Sequence, residues 1–306
     1  MDKPSGLTSR QAGWRVAKLF KTKKFGHIGT LDPMASGLLV IALGEATKMI
    51  PFLETVRAKD KEYMFSIKWG IKTDAGDITG KVTERGGRIP EKNEIAAALP
   101  ELIGEYDQTP PAFSAKKIDG VAAYKSARGG NPVELRPARV AIYGLCIRDS
   151  TGAIDDIVYY VKCGPGTYIR SLVQDIAERI SNPCHSREGG NRIATCSMIR
   201  RTKSGGFDIK DAVELDFLEN LYNNSPNMVQ EHLRPVDFGL DGIPVGNLND
   251  DDARLFENGG IVVTKDDSTG LRRVYSDKRF LGIGMNENYA LWPKRIVASK
   301  VEIRDT

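Results

Sequence analysis

Residues 169–180 carry the most demanding pattern in the chain. Ile169, Leu172, Val173, Ile176, Ala177 and Ile180 recur at i, i+3, i+4, i+7, i+8 and i+11. That is one face of an α-helix, and so continuous an apolar stripe needs a core along its whole length. Gly164-Pro165-Gly166 forms a turn ahead of it, and Thr167 is predicted to cap the helix. The partners are strands. Tyr63, Phe65, Ile67 and Trp69 alternate with Glu62, Ser66 and Lys68 over residues 61–69, the period of a half-buried strand. Residues 140–147 and 157–163 read the same way, with Ile157, Tyr159 and Val161 on one face. Residues 38–43 (LLVIAL) are predicted as one fully buried strand.

Near the start, Thr8 and Gln11 have the spacing of a capping box, and Ala12, Val16, Leu19 and Phe20 supply an apolar stripe behind it. A second helix is expected over 90–99 and a short one over 122–128. Asp119-Gly120 is a hairpin signal, and 81–84 reads as a strand after the turn chemistry of 74–80. Helices and strands are interspersed without regular βαβ alternation. The predicted fold class is therefore α+β, a mixed, mainly antiparallel sheet flanked by helices.

Around residues 235–246 the composition shifts to Gly, Asp and Pro, and short strand candidates follow at 261–264, 272–275, 280–285 and 289–293. We expect a domain over 1–236 and a small β-barrel-like domain over 237–306. With 41% hydrophobic and 27% charged residues among 306, the chain is a globular protein rather than a disordered one. No apolar run reaches the roughly 18 residues of a membrane-spanning helix, and the first residues lack a signal-peptide core. Cys146, Cys163, Cys184 and Cys196 form no C-x-x-C pair. Neither a disulfide framework nor a zinc knuckle is expected, and the reading is cytoplasmic.

Charge is uneven. Residues 1–60 carry 10 basic and 5 acidic groups, residues 160–210 carry 9 and 4, and residues 211–306 carry 11 and 17. Two basic segments either form ordinary solvated surface or converge on a polyanion. Nucleotide-binding glycine motifs and a G-x-S-x-G elbow are absent from the sequence. The unusual segment is Gly26-His27-Ile28-Gly29-Thr30-Leu31-Asp32-Pro33. Asp32 either closes an Asx turn on local amides or does chemistry. Arg170 tilts that choice. It sits in the first helical turn, where the dipole disfavours a cation, so a carboxylate such as Asp32 is a candidate partner. Tyr63 and Tyr168 would add aromatic faces suited to a base.

These residues carry a resemblance. Asp2-Lys3-Pro4-Ser5-Gly6-Leu7-Thr8-Ser9, the segment Gly26 to Leu39, Gly44-Glu45-Ala46-Thr47-Lys48, Lys61-Glu62-Tyr63, Thr73-Asp74 with Asp77 and Gly80, Gln108-Thr109-Pro110-Pro111-Ala112-Phe113-Ser114-Ala115 and Gly166-Thr167-Tyr168-Ile169-Arg170-Ser171-Leu172 occur in one order. Together they resemble the TruB family of tRNA pseudouridine synthases over about residues 1–240. Asn258-Gly259 and Gly282-Ile283-Gly284 resemble that family's small C-terminal RNA-binding domain, of PUA type.

The resemblance implies the pseudouridine synthase fold and an isomerase acting on uridine 55 in the T loop of tRNA. It implies no metal and no organic cofactor; separately, no obligate protein partner is expected and the chain is read as a monomer. Asp32 falls on the nucleophilic aspartate. Tyr63 falls on the tyrosine that stacks on the base and serves proton transfer, and Arg170 on the arginine that pairs with the aspartate. Tyr168 and Ile199 fall on pocket-lining positions, and His27 on a histidine that holds the loop when the base is flipped. Residues 108–148 match the segment that closes over RNA.

Two departures stand out. The sequence begins at the first motif, where relatives have a short strand before it. Residues 181–193 read as an inserted polar surface loop holding Cys184 and His185. Two rival functions share these features. One is an RNA-binding or RNA-folding protein with weak catalysis, and the other is a guide-RNA-dependent relative of the same superfamily.

Overall fold

The computed structural model describes residues 1–56, 60–111, 113, 117–118, 121–122, 135–149, 153–181 and 192–297. Its centre is an eight-stranded sheet. The strand order runs Asp2–Lys3, Ser36–Leu38, Ala194–Ser204, Lys61–Trp69, Val158–Cys163, Ala138–Asp149 and Gly104–Gln108, with Phe207–Asp208 paired to Ala194–Ser204. One junction is parallel, Ser36–Leu38 against Arg200–Arg201. The others are antiparallel, which matches the predicted class.

The helix Ile169–Ser181 lies on this sheet with all six stripe residues at 5% exposure or less. They meet Phe65, Ile67, Trp69, Tyr159 and Val161 in the main core. Thr8 and Gln11 make the expected capping box at the start of the helix Ser9–Leu19. The second helix covers Lys92–Ala98 and continues as a 3-10 turn to Leu102. The hairpin expected at Asp119-Gly120 shows its flanking pairs, Ile118 with Val121. Ala122, where a short helix is expected to begin, instead pairs with Lys117 in this hairpin; the turn itself, residues 123–128 and residues 182–191 lie outside the described residues.

Three expectations are corrected. Residues 38–43 are two strands, because the chain leaves the main sheet at Leu39 and Val40–Leu43 pairs with Phe25–Ile28 instead. Thr167 does not cap its helix. Its hydroxyl donates to Gly164 O at 3.0 Å, while Tyr168 O accepts the first helical bond. The expected surface loop 181–193 ends in buried structure: Arg192 is 3% exposed and its Nη2 donates to Glu94 Oε1 at 2.8 Å.

A second sheet of five strands has the order Val245–Leu248, Gly270–Ser276, Arg279–Glu287, Ala290–Ile296 and Val262–Val263. It is a curled half-barrel with a helix, Asp250–Glu257, that the sequence pattern did not announce. Asn249 caps that helix by accepting from Asp252 N. Leu240, Ile243 and Ile283 pack with Ile28, Met49 and Leu53, so an apolar seam joins this part to the main body.

Candidate active site

The segment from Gly29 to Leu38 is clamped from two sides. Ser9, the first residue of its helix, donates through Oγ to Leu31 O at 3.0 Å and accepts from Leu31 N at 2.8 Å. Ser5 Oγ donates to Met34 O at 2.9 Å, and Gly6 N to Pro33 O at 2.7 Å. Lys3, fully buried, donates through Nζ to Pro4 O at 2.8 Å, Leu7 O at 2.7 Å and, at the 3.5 Å limit, Pro33 O. The first nine residues are thus a cradle for the Asp32 loop. Burial pulls the Lys3 ammonium down to about 8, with Asp32 opposing that fall.

Asp32 faces Arg170. Arg170 Nε lies 2.8 Å from Asp32 Oδ2, and the arginine side chain is 4% exposed against 36% for the aspartate. The guanidinium is fully engaged: Nη1 donates to Ala75 O at 2.7 Å and Nη2 to Phe113 O at 2.8 Å. A second carboxylate, Asp77 Oδ2, stands 3.8 Å from Nη1. Asp77 is itself buried and accepts from Thr79 N and Thr79 Oγ1 through Oδ1. These anions and carbonyls answer the question posed by a cation at the positive end of a helix. Burial pushes the Asp32 carboxyl above the ordinary carboxylate range. Arg170 pulls it back, Asp77 adds like-charge repulsion, and Lys3 helps Arg170. The result is a carboxylate at a rim, one face toward solvent and the other held by a buried fork.

Tyr63 and Ile199 lie on adjacent strands, Tyr63 opposite Arg201 and Phe65 opposite Ile199. Both are buried in the core that contains Leu31 and Ile169. Burial pushes the Tyr63 phenol up, and the nearby Arg201 guanidinium pulls it down. Tyr168 is half-buried just before the long helix, where its N–H donates to Gln108 Oε1 at 2.8 Å. His27 sits apart on Phe25–Ile28, with Nε2 3.3 Å from Thr30 Oγ1. Burial lowers its pKa, and Arg201 adds to that.

Three partners in this constellation carry no chemistry that the sequence pattern assigns: Asp77, Gln108 and Arg201. Asp77 and Gln108 stand inside the motifs quoted above. Arg201 has a signal of its own, since it lies two strand positions after Ile199 and so shares its inward face. Among the described residues no group of three His, Cys, Asp or Glu side chains is placed to hold a metal ion.

Residues 17–169 match the model of the TruB family pseudouridylate synthase N-terminal domain, and residues 244–297 match that of the pseudouridine synthase II TruB C-terminal region. The chain belongs to the TruB family of pseudouridine synthases. Asp32 and Tyr63 fall inside the first match, and Arg170 one residue beyond it. Proteins named tRNA pseudouridine synthase B are among its relatives. That of Caulobacter vibrioides is 41% identical over 86% of this chain and 80% of its own length; that of Aquifex aeolicus is 35% identical over 97% and 98%. A chain in the crystal structure of a Cbf5-Nop10-Gar1 complex shares the fold, with a TM-score of 0.66 at 21% identity, covering 97% of this chain and 83% of that one.

Proposed function

We propose that this chain converts uridine 55 in the T loop of tRNA to pseudouridine, with Asp32 as the nucleophile. The reaction class and the RNA class follow from the family: its relatives are isomerases named for pseudouridine formation in tRNA. The observation that carries the residue assignment is the ion pair at the rim, a partly exposed Asp32 carboxylate held at 2.8 Å by a buried, fully engaged Arg170.

In the reaction the bond from N1 to the ribose C1′ breaks, the base turns, and C5 bonds to C1′. C5 loses a proton and N1 gains one. A carboxylate at this place can form a covalent adduct with the ring or the sugar carbon while the base turns, and then leave. Arg170 gives that carboxylate one orientation and favours its charged form. The base reaches the pocket only after unstacking, at about a few kcal/mol, and stacking on Tyr63 returns about 1–3 kcal/mol. Tyr168 and Ile199 line the walls, and His27, set apart on Phe25–Ile28, holds the loop when the base is flipped. The RNA-closing role expected for 108–148 does not extend to Ala138–Asp149, which is a strand within the main sheet. The chain acts alone, without metal or organic cofactor.

Asp32→Asn is the test. The amide keeps the shape but is a poor nucleophile, and most affinity comes from phosphate contacts. Release of the C5 hydrogen from a labelled T-stem-loop transcript should stop while binding at the same salt stays within a few-fold. A variant that keeps a tenth of the wild-type rate removes Asp32 from that role. Turnover of bare transcript by the wild type also separates this reading from a guide-dependent enzyme and from an RNA-folding protein.

A further inference from the structure

Arg201 is the largest fully buried side chain among the described residues, with 0% of its surface exposed. It forms no ion pair among those residues. Its Nε donates to Leu38 O and its Nη2 to Gly29 O, each at 2.8 Å. Its Nη1 has no hydrogen-bond partner. Burying a guanidinium without an anion is costly, so a chain that keeps one gains something there that an apolar residue would not supply.

Two placements show what that is. The two carbonyls that Arg201 holds bracket the Asp32 loop, one at each end. Arg201 also sits directly opposite Tyr63 across the antiparallel pair of Ala194–Ser204 and Lys61–Trp69. Side chains at such positions share a face with Cβ atoms about 5 Å apart. One rigid fork therefore holds the loop that carries Asp32 and lies close enough to Tyr63 to pull its phenol down. The nearby charge also opposes the burial that keeps the phenol neutral.

We propose that Arg201 is a positioning residue for the isomerisation: tied to the carbonyls of Gly29 and Leu38, it points its free Nη1 arm toward Tyr63 and fixes the phenol oxygen relative to Asp32. The proposal rests on the reading that Asp32 and Tyr63 flank the target base. Gly29 fits it, because a Cβ there would stand 3.0 Å from Arg201 Nη1, on a backbone at φ +66°. A larger residue would crowd the arm that faces Tyr63.

The test is a double-mutant cycle of Arg201→Lys and Tyr63→Phe, read as single-turnover rate on the T-stem-loop transcript, with binding and thermal melting measured beside it. Lysine keeps the charge but not the planar fork. Arg201→Lys should lower the rate about 10- to 100-fold, the scale of a misplaced reacting group, while binding changes less than about threefold. In the Tyr63→Phe background the same change should cost less than about threefold, because the group it positions is gone. Equal losses in both backgrounds overturn the proposal and make Arg201 a purely structural cation. A wild-type rate in Tyr63→Phe alone overturns the underlying reading of Tyr63 instead. If Arg201→Lys does not melt cooperatively, Arg201→Gln takes its place in the cycle, since glutamine keeps one donor and removes the charge. A smaller loss in the Tyr63→Phe background again supports the positioning role, and equal losses again overturn it.

Discussion

Replacing Arg170 by lysine separates a buried clamp from a surface cation. The guanidinium answers three oxygens at 2.7–2.8 Å, those of Asp32, Ala75 and Phe113, and a fourth, on Asp77, at 3.8 Å. They surround a planar fork. A lysine ammonium ends near the centre of that fork and is more strongly hydrated. It can face Asp32 and one carbonyl but not all four oxygens. At least one buried carbonyl then loses its donor, at about 1–3 kcal/mol of stability. The Asp32 carboxylate loses its fixed geometry, and a shift of about 1 Å lowers the rate about 100-fold, equal to about 2.7 kcal/mol of barrier. We therefore expect Arg170→Lys to fold, to melt a few degrees lower, and to turn over at about 1% of the wild-type rate. Affinity for tRNA should change little, since one side chain among many supplies a small part of the phosphate contribution. Single-turnover kinetics with binding at matched salt reads both. An unchanged rate refutes the clamp. Equal losses of rate and affinity would make Arg170 a phosphate contact.

Three further outcomes follow from the geometry. The rate should fall as pH drops through the Asp32 pKa, which burial holds above the ordinary value of 3.8. An acid limb in the pH–rate profile at or below that value would contradict the burial argument. Gly37 has φ +101°, and a Cβ there would stand 2.3 Å from Arg201 O in the neighbouring strand. Gly37→Ala should lower stability by at least about 1–3 kcal/mol, read by denaturant midpoint, and a neutral result would show the two strands free to part. Arg192→Ala removes one of two arginines on Glu94, the other being Arg88 at 2.7 Å. The loss should be near about 3 kcal/mol, the low end for breaking a buried pair, and chemical denaturation would show it.

The candidate site was half legible in the sequence. Arg170 announced itself because a cation in a first helical turn is electrostatically misplaced, and the contradiction pointed to a carboxylate. Asp32 was ambiguous alone, since an Asp before Pro also suits a turn. Asp77 and Gln108 were invisible as chemistry. Asp77 becomes a partner of Arg170 only when the loop after Thr73 bridges to Cys196. Gln108 becomes the acceptor for Tyr168 N–H only when its strand meets the long helix. The basic segments misled in part. Lys3, Arg170, Arg192 and Arg201 lie in or beside them and are all buried, so they bind carbonyls and carboxylates inside the fold rather than a polyanion outside.

The sequence alone determined the elements whose period is local. The stripe of 169–180 and the alternation of 61–69 fix which face is apolar, because each spacing recurs within a few residues of chain. The Thr8–Gln11 box does the same for a helix start. Only the tertiary structure decided the rest. The run 38–43 is apolar throughout, so nothing in it says where one sheet ends and the next begins. The break at Leu39 comes from Ser36–Leu38 finding Arg200–Arg201 on one side and Val40–Leu43 finding Phe25–Ile28 on another. The central strand Ala194–Ser204 reads as polar sequence and is buried because Arg201 spends its charge on Leu38 and Gly29 carbonyls more than 160 residues away. A buried cation is stabilised by what surrounds it in space, and its neighbours in the chain carry no record of that.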